Sequence, residues 1–119
     1  MNDILRHGSL WLLEQMKEHA ASPVTYRRGE LEAEMRAVFG RTEYEVADEY
    51  GLRVGAQVTD FLIDGEDLSP AFGEPRAGDR IIADGAVYEV MSLGGLRHWR
   101  WTGPHRRTMR IHTKEVDTE

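Results

Sequence analysis

The sequence predicts a mainly β protein: a small barrel of about six or seven antiparallel strands with an amphipathic helix at its N-terminus. Three observations carry that reading. Apolar residues step by three and four only near the start of the chain. Beyond Pro23 they alternate with polar ones, and turn-forming residues recur roughly every ten positions. Closing the sheet into a barrel removes the edge strands that an all-β chain of 119 residues would otherwise expose. The chain is read as a single domain, 1–119, with a helix in 1–22, the first strands in 23–63, a long loop in 64–78 and a β-meander in 79–116.

The helix is predicted from Asp3 to Ala21, where Ile4, Leu5, Trp11, Leu12, Met16 and His19 fall on one face. Asp3 caps it, and Ser22-Pro23 stops it because a residue before proline is disfavoured in helical geometry. Val24 and Tyr26 then lead to a turn at Arg28-Gly29. Leu31, Ala33, Met35, Ala37 and Phe39 alternate with Glu30, Glu32, Glu34 and Arg36, the pattern of a half-buried strand with an acidic outer side. Gly40 is expected to end it. Arg41 to Tyr50 reads as a loop or irregular strand, and Leu52 to Ile63 as a further strand. Asp64 to Gly78 has no period and holds three glycines and two prolines, so it reads as a long loop, mobile until a partner orders it.

Asp84-Gly85 between Arg80–Ala83 and Ala86–Leu93 signals a type I′ hairpin. Gly94-Gly95 suggests a second hairpin into Leu96–Thr102, and Thr108–Val116 a last strand. Alternation puts Trp99 and Trp101 with Met109 and Ile111 on the core side, a placement preferred to a base-stacking platform. His98, Arg100, Arg110, His112 and Lys114 are then expected to share one outer surface.

Composition narrows the function classes. Apolar residues at 40% and charged residues at 30% are a globular balance. The chain has no cysteine, which excludes disulfides, thiolate metal sites and cysteine nucleophiles. No apolar run approaches the ~20 residues of a membrane span, and the start lacks a signal-peptide pattern. The reading is a soluble, intracellularly made protein without a membrane partner. The net charge of −6 argues against a general nucleic-acid coat, but it is segregated. Residues 1–96 hold nine bases against eighteen acids, residues 97–114 hold six bases and no acid, and the tail is acidic again. Such a split fits two surfaces with different partners, or head-to-tail contact between copies. It fits an ordinary solvated strand edge equally well.

No constellation points to catalysis. No His-Glu-x-x-His, phosphate-cradling glycine loop or nucleophile elbow is present. Asp64-x-Glu66-Asp67 lacks the rest of a calcium loop, and solvation in a basic patch is a better reading of His98 and His112 than a zinc pair. No enzyme activity, cofactor or metal is expected.

Pro75-Arg76-Ala77-Gly78-Asp79-Arg80-Ile81-Ile82 and Asp84-Gly85-Ala86-Val87-Tyr88-Glu89-Val90 form a P-x-x-G-D-x-I … G-x-x-Y-x-V arrangement after a long loop. With the closing Arg110-Ile111-His112-Thr113-Lys114, this resembles small neck proteins of long-tailed phages and prophages, the head-completion and head–tail joining group. The match covers mainly Asp60 to Lys114. The resemblance implies a non-enzymatic virion protein that assembles as a ring, a hexamer or higher, against portal, adaptor or tail proteins. DNA then meets the protein only in passage through the lumen; the protein resides in the virion neck, and in the host cytoplasm during assembly. Candidate partner-binding residues are the basic Arg100, Arg106, Arg107, Arg110 and Lys114 and the acidic Asp64, Glu66 and Asp67. The alternatives are a tail-completion or tail-terminator-like component, and a small barrel that binds nucleic acid through the C-terminal basic face.

Overall fold

The computed structural model describes residues 21–47, 50–51, 53–92, 97–103 and 105–118. The helix expected in 1–22 lies outside them, except at its end, where Ser22 already opens a strand. Seven strands follow: β1 (Ser22–Arg28), β2 (Leu31–Ala47), β3 (Arg53–Asp64), β4 (Arg80–Ala83), β5 (Ala86–Val90), β6 (Trp99–Thr102) and β7 (Thr108–Thr118). A short helix, α1 (Gly65–Phe72), separates β3 from β4.

All pairings are antiparallel. The order β3-β2-β1-β4-β5-β7 is closed by β3 pairing with β7, which makes a six-stranded barrel with β6 outside it. Registers show how β6 is attached. β3 lies along β7 from Thr108 to Thr113, so β6, which pairs with Thr108–Ile111, must occupy the opposite edge. β5 pairs with β7 from Thr113 to Thr118, and Thr113 faces both Thr59 and Val90. β5 and β6 therefore lie end to end along one edge of β7.

The alternating segments become strands as expected, and the side facing in is the apolar one. Val24, Tyr26, Met35, Ala37, Phe61, Ile63, Ile81, Val90, Met109 and Ile111 fill the barrel. Phe61 is the aromatic centre, with Phe39 at 4.8 Å and Tyr88 at 5.0 Å between ring centroids. Trp99 is buried beside Ile111 and Met109, and Trp101 packs partly buried against the same core. The turn at Asp84-Gly85 has positive φ at both residues (50° and 77°), as a type I′ hairpin requires.

Three expectations are corrected. β2 does not end at Gly40 but runs to Ala47, because β3 continues the ladder opposite it as far as Ala47↔Arg53. Backbone pairing there overrides a weak local pattern. The second hairpin of the meander does not form: β5 and β6 pair with β7 and not with each other. The long loop expected in 64–78 is helical over its first half. Asp64 accepts a hydrogen bond from the Glu66 amide at 2.9 Å, Glu66 and Asp67 sit in the first turn, and Leu68 and Phe72 bury themselves one turn apart. Two apolar residues four apart anchor this helix in the core, although Pro70 removes one of its amide donors.

Gly65 shows how closely α1 is seated. Its amide donates to the Arg107 carbonyl at 2.7 Å, and a Cβ there would lie 2.9 Å from the Trp101 ring and 3.1 Å from that carbonyl. Gly65→Ala is expected to destabilise the fold by about 1–3 kcal/mol despite alanine's better helix propensity, as overpacking does. Denaturant melts check this; an alanine variant as stable as the parent contradicts it.

Candidate assembly surface

Three buried carboxylates organise the polar side chains, and together they decide which candidate residues stay free. The first is Asp79, at the turn before β4. Only 3% exposed, its carboxylate accepts from Tyr26 Oη at 2.5 Å, from Arg28 Nε at 2.9 Å and Nη2 at 2.8 Å, and from the Arg76 amide at 2.9 Å. Arg28 also donates to the carbonyls of Phe72 and Glu74, and its guanidinium lies 5.5 Å from the centre of the Phe72 ring. Burial alone would raise the Asp79 pKa, but the hydrogen bonds from Arg28, Tyr26 and the Arg76 amide outweigh it and hold the carboxyl below the usual range. Burial, followed by the bond to Asp79, pushes the Tyr26 phenol up. The Asp79 hydrogen bond raises Arg28 further.

The second is Asp60, fully buried on β3. It accepts from Arg110 Nη1 at 2.6 Å and lies 2.7 Å from His112 Nδ1, with Thr42 Oγ1 as a third donor. Burial works upward on this carboxyl, and the bonds from His112, Thr42 and Arg110 bring it below its ordinary value. This network corrects the expected outer surface. Arg110 and His112 do share a side of β7, but His112 is only 2% exposed and Arg110 is turned onto Asp60. Val38 and Leu62 are also buried, and alternate with the core-facing Ala37, Phe39, Phe61 and Ile63. Both sides of the sheet are therefore covered here. His98, the other member of the histidine pair, does lie across from His112, but its ring bonds to the Pro75 carbonyl at 2.9 Å.

The third is Asp64, the cap of α1. Arg107 donates to Asp64 and to Glu66, both at 3.1 Å, with its side chain 16% exposed. Basic and acidic candidates thus meet each other within the chain. Asp67 stays exposed; partial desolvation, then the nearby Asp64 and Glu66 carboxylates, raise its pKa.

Of the eight candidates, Arg100, Arg106, Lys114 and Asp67 are exposed, Glu66 is exposed but bonded to Arg107, and Arg107, Arg110 and Asp64 are drawn inward. Arg100 lies directly across from Arg110 in the ladder, and its like-charged neighbour is already neutralised by Asp60. Exposed Arg97 lines a shallow open cleft of about 430 Å³ with Phe72–Ala77, His98 and Trp99. Tyr26, Arg28, Thr42, Asp60 and Asp79 escaped selection as polar centres. Asp79 alone was signalled, by the Gly78-Asp79 turn in the quoted motif.

Compared with known proteins, the chain matches the family described as phage head-tail joining protein over residues 2–119. It belongs to that family, and its role is that of a structural component of the phage neck that contacts other head or tail proteins. No curated protein matches the chain. Among the described residues no helix is long and apolar enough to cross a membrane.

Asp60 and Asp79 carry lowered folded pKa values, so their contribution to stability is complete above the unfolded value near 4 and is lost as pH falls through the folded ones. Asp79→Asn is expected to cost about 2–4 kcal/mol at pH 7, because it removes a charge from the buried Tyr26 hydroxyl, the Arg76 amide and a partly exposed guanidinium. The difference from the parent should narrow on acidification below pH ~4, where the parent also loses that charge. Thermal melts from pH 3 to 7 check both statements; a constant difference across that range contradicts them.

Proposed function

We propose that the chain is a non-enzymatic subunit of the neck that assembles as a ring, a hexamer or higher, against a portal or adaptor protein on one side and a tail protein on the other. DNA meets it only while passing through the lumen. The protein is carried in the virion and is assembled there from the host cytoplasm. Family membership over residues 2–119 supports this, and one structural observation carries it further. After the internal ion pairs have taken Arg107 and Arg110, an exposed basic set remains (Arg97, Arg100, Arg106 and Lys114) on a chain whose remainder is acidic. Unlike patches on one subunit favour heterologous contacts, which close into rings when the rotation allows. An acidic lumen lets DNA slide rather than stick.

The test is in-vitro joining of DNA-filled heads and free tails from a phage lacking this protein, with the purified chain added back. Arg100→Glu combined with Arg106→Glu is expected to keep stability within about 0.5 kcal/mol, since both side chains are exposed. Joining should fall at least ten-fold, because each reversal turns an attraction at an interface into a repulsion. Arg110→Glu should instead unfold the protein at lower temperature, since it sets a second carboxylate against buried Asp60. Full joining by the Arg100/Arg106 variant overturns the assignment of this face.

A further inference from the structure

Strand edges stay unpaired at two places among the described residues, and the two places are unlike. The first belongs to β6. The His112 amide donates to the His98 carbonyl at 2.9 Å, so 98 and 112 are a hydrogen-bonded pair. Alternation makes 100 and 110 the next such pair and leaves Trp99 and Trp101 in the intervening positions opposite Ile111 and Met109. The backbone N–H and C=O groups of Trp99 and Trp101 therefore point away from β7, where no other described strand meets them. The open cleft beside Arg97–Trp99 lies along this part of the chain, and exposed Arg97, Arg100 and Arg106 surround it in sequence.

The second edge belongs to β2. β1 accompanies β2 only as far as Ala37, and β7 accompanies β3 only from Thr59 onward. Beyond these points β2 and β3 pair with each other alone, out to Ala47↔Arg53. The result is a two-stranded ribbon that leaves the barrel with neither edge paired to another described strand. A ribbon of two strands is marginal in water by itself and gains from a third. Its β2 strand carries Glu43 and Glu45, and Asp48 and Glu49 follow in sequence.

We propose that the β2 edge of the ribbon from one copy adds to the β6 edge of the next copy and forms a continuous intersubunit sheet. The proposal rests on the ring reading above and names the contact that builds the ring. Backbone donors and acceptors supply the affinity, as in other strand additions. The acidic ribbon strand against the arginines flanking β6 supplies direction. Because the two edges differ, the contact is head-to-tail, which propagates around a ring and does not stop at a two-fold dimer.

The absence of cysteine makes a covalent trap clean. Arg100→Cys is combined in turn with Glu43→Cys, Tyr44→Cys, Glu45→Cys and Val46→Cys. Neighbouring positions on a strand face opposite sides, so this set covers both faces and small register shifts. Each variant is added to DNA-filled heads lacking the protein and oxidised mildly. At least one double variant is expected to give a ladder of covalent dimers, trimers and higher species on a denaturing gel, while Arg100→Cys alone stops at dimer. A ring seen by electron microscopy on the heads without a ladder from any double variant overturns this contact and leaves the ring standing. Bonding of the introduced thiols to a different virion protein overturns the second copy as occupant. Parent protein that never forms a ring on the heads overturns both proposals.

Discussion

The fold hangs on one buried carboxylate. Asp79 holds Arg28 by two hydrogen bonds and Tyr26 by a third, and Arg28 in turn holds the last carbonyl of α1 and that of Glu74. Those contacts tie the end of the helix to the tip of the β1–β2 hairpin and the entry to β4, where the β1–β4 ladder ends at Arg27↔Arg80. A planar guanidinium suits this role because it can satisfy a carboxylate and two carbonyls at once, whereas an ammonium has no such fork. Tyr26 adds apolar weight, with its ring 4.9 Å from Phe72 and its hydroxyl on Asp79. Polar fixation and core packing thus share one residue.

The same logic explains why so much of the charge is not available to partners. A barrel this small has few interior positions, so acids that fall inside its wall must bring bases with them. Asp60 takes Arg110, His112 and Thr42, and Asp64 takes Arg107. The charge segregation along the sequence is thereby partly folded away: the basic segment supplies counter-ions to the acidic body. Only the residue of that exchange reaches the surface, and it is this residue that any partner meets.

Period-two alternation was enough to find β1, the first half of β2 and β7 with their inward sides, and Asp84-Gly85 was enough to find the β4–β5 hairpin; β3 was found as a strand, but its inward side is that of Phe61 and Ile63 and not that of Val54, Ala56 and Val58. Alternation says which residues share a side; it does not say whether that side is covered. His112 and Arg110 were therefore placed together correctly and exposed wrongly. Their partner Asp60 lies about fifty positions away, with no local pattern to announce it. The helix at Gly65–Phe72 was hidden for a different reason. Its apolar signal is only Leu68 and Phe72, and the glycines and prolines around them dominate any reading by composition. Its cap, Asp64 with Glu66 and Asp67 behind it, was visible but was read as an acidic loop. β6 does pair with the last strand as alternation suggested, but that β5 pairs with β7 and not with β6 depends on competition between edges, which only the closed barrel resolves.

The closing pair of the barrel has a consequence for the order in which the molecule forms. The hairpins β1–β2 and β4–β5 join residues nearly adjacent in sequence, and each can zip from its own turn. β3 and β7 instead meet across separations running from 44 residues (Asp64↔Thr108) to 54 (Thr59↔Thr113), and β1 and β4 across 53 (Arg27↔Arg80) to 57 (Thr25↔Ile82). Loop-closure entropy must be overcome before either contact returns anything, so these two pairings are the slow events and the local hairpins precede them. Until β7 reaches β3, the edge of β3 that it covers stands open, and the carboxylate of Asp60 lacks its hydrogen-bond partners Arg110 and His112. An open strand edge beside an unpaired carboxylate makes the half-made protein prone to pair with other chains along β3, an exposure that the finished barrel removes.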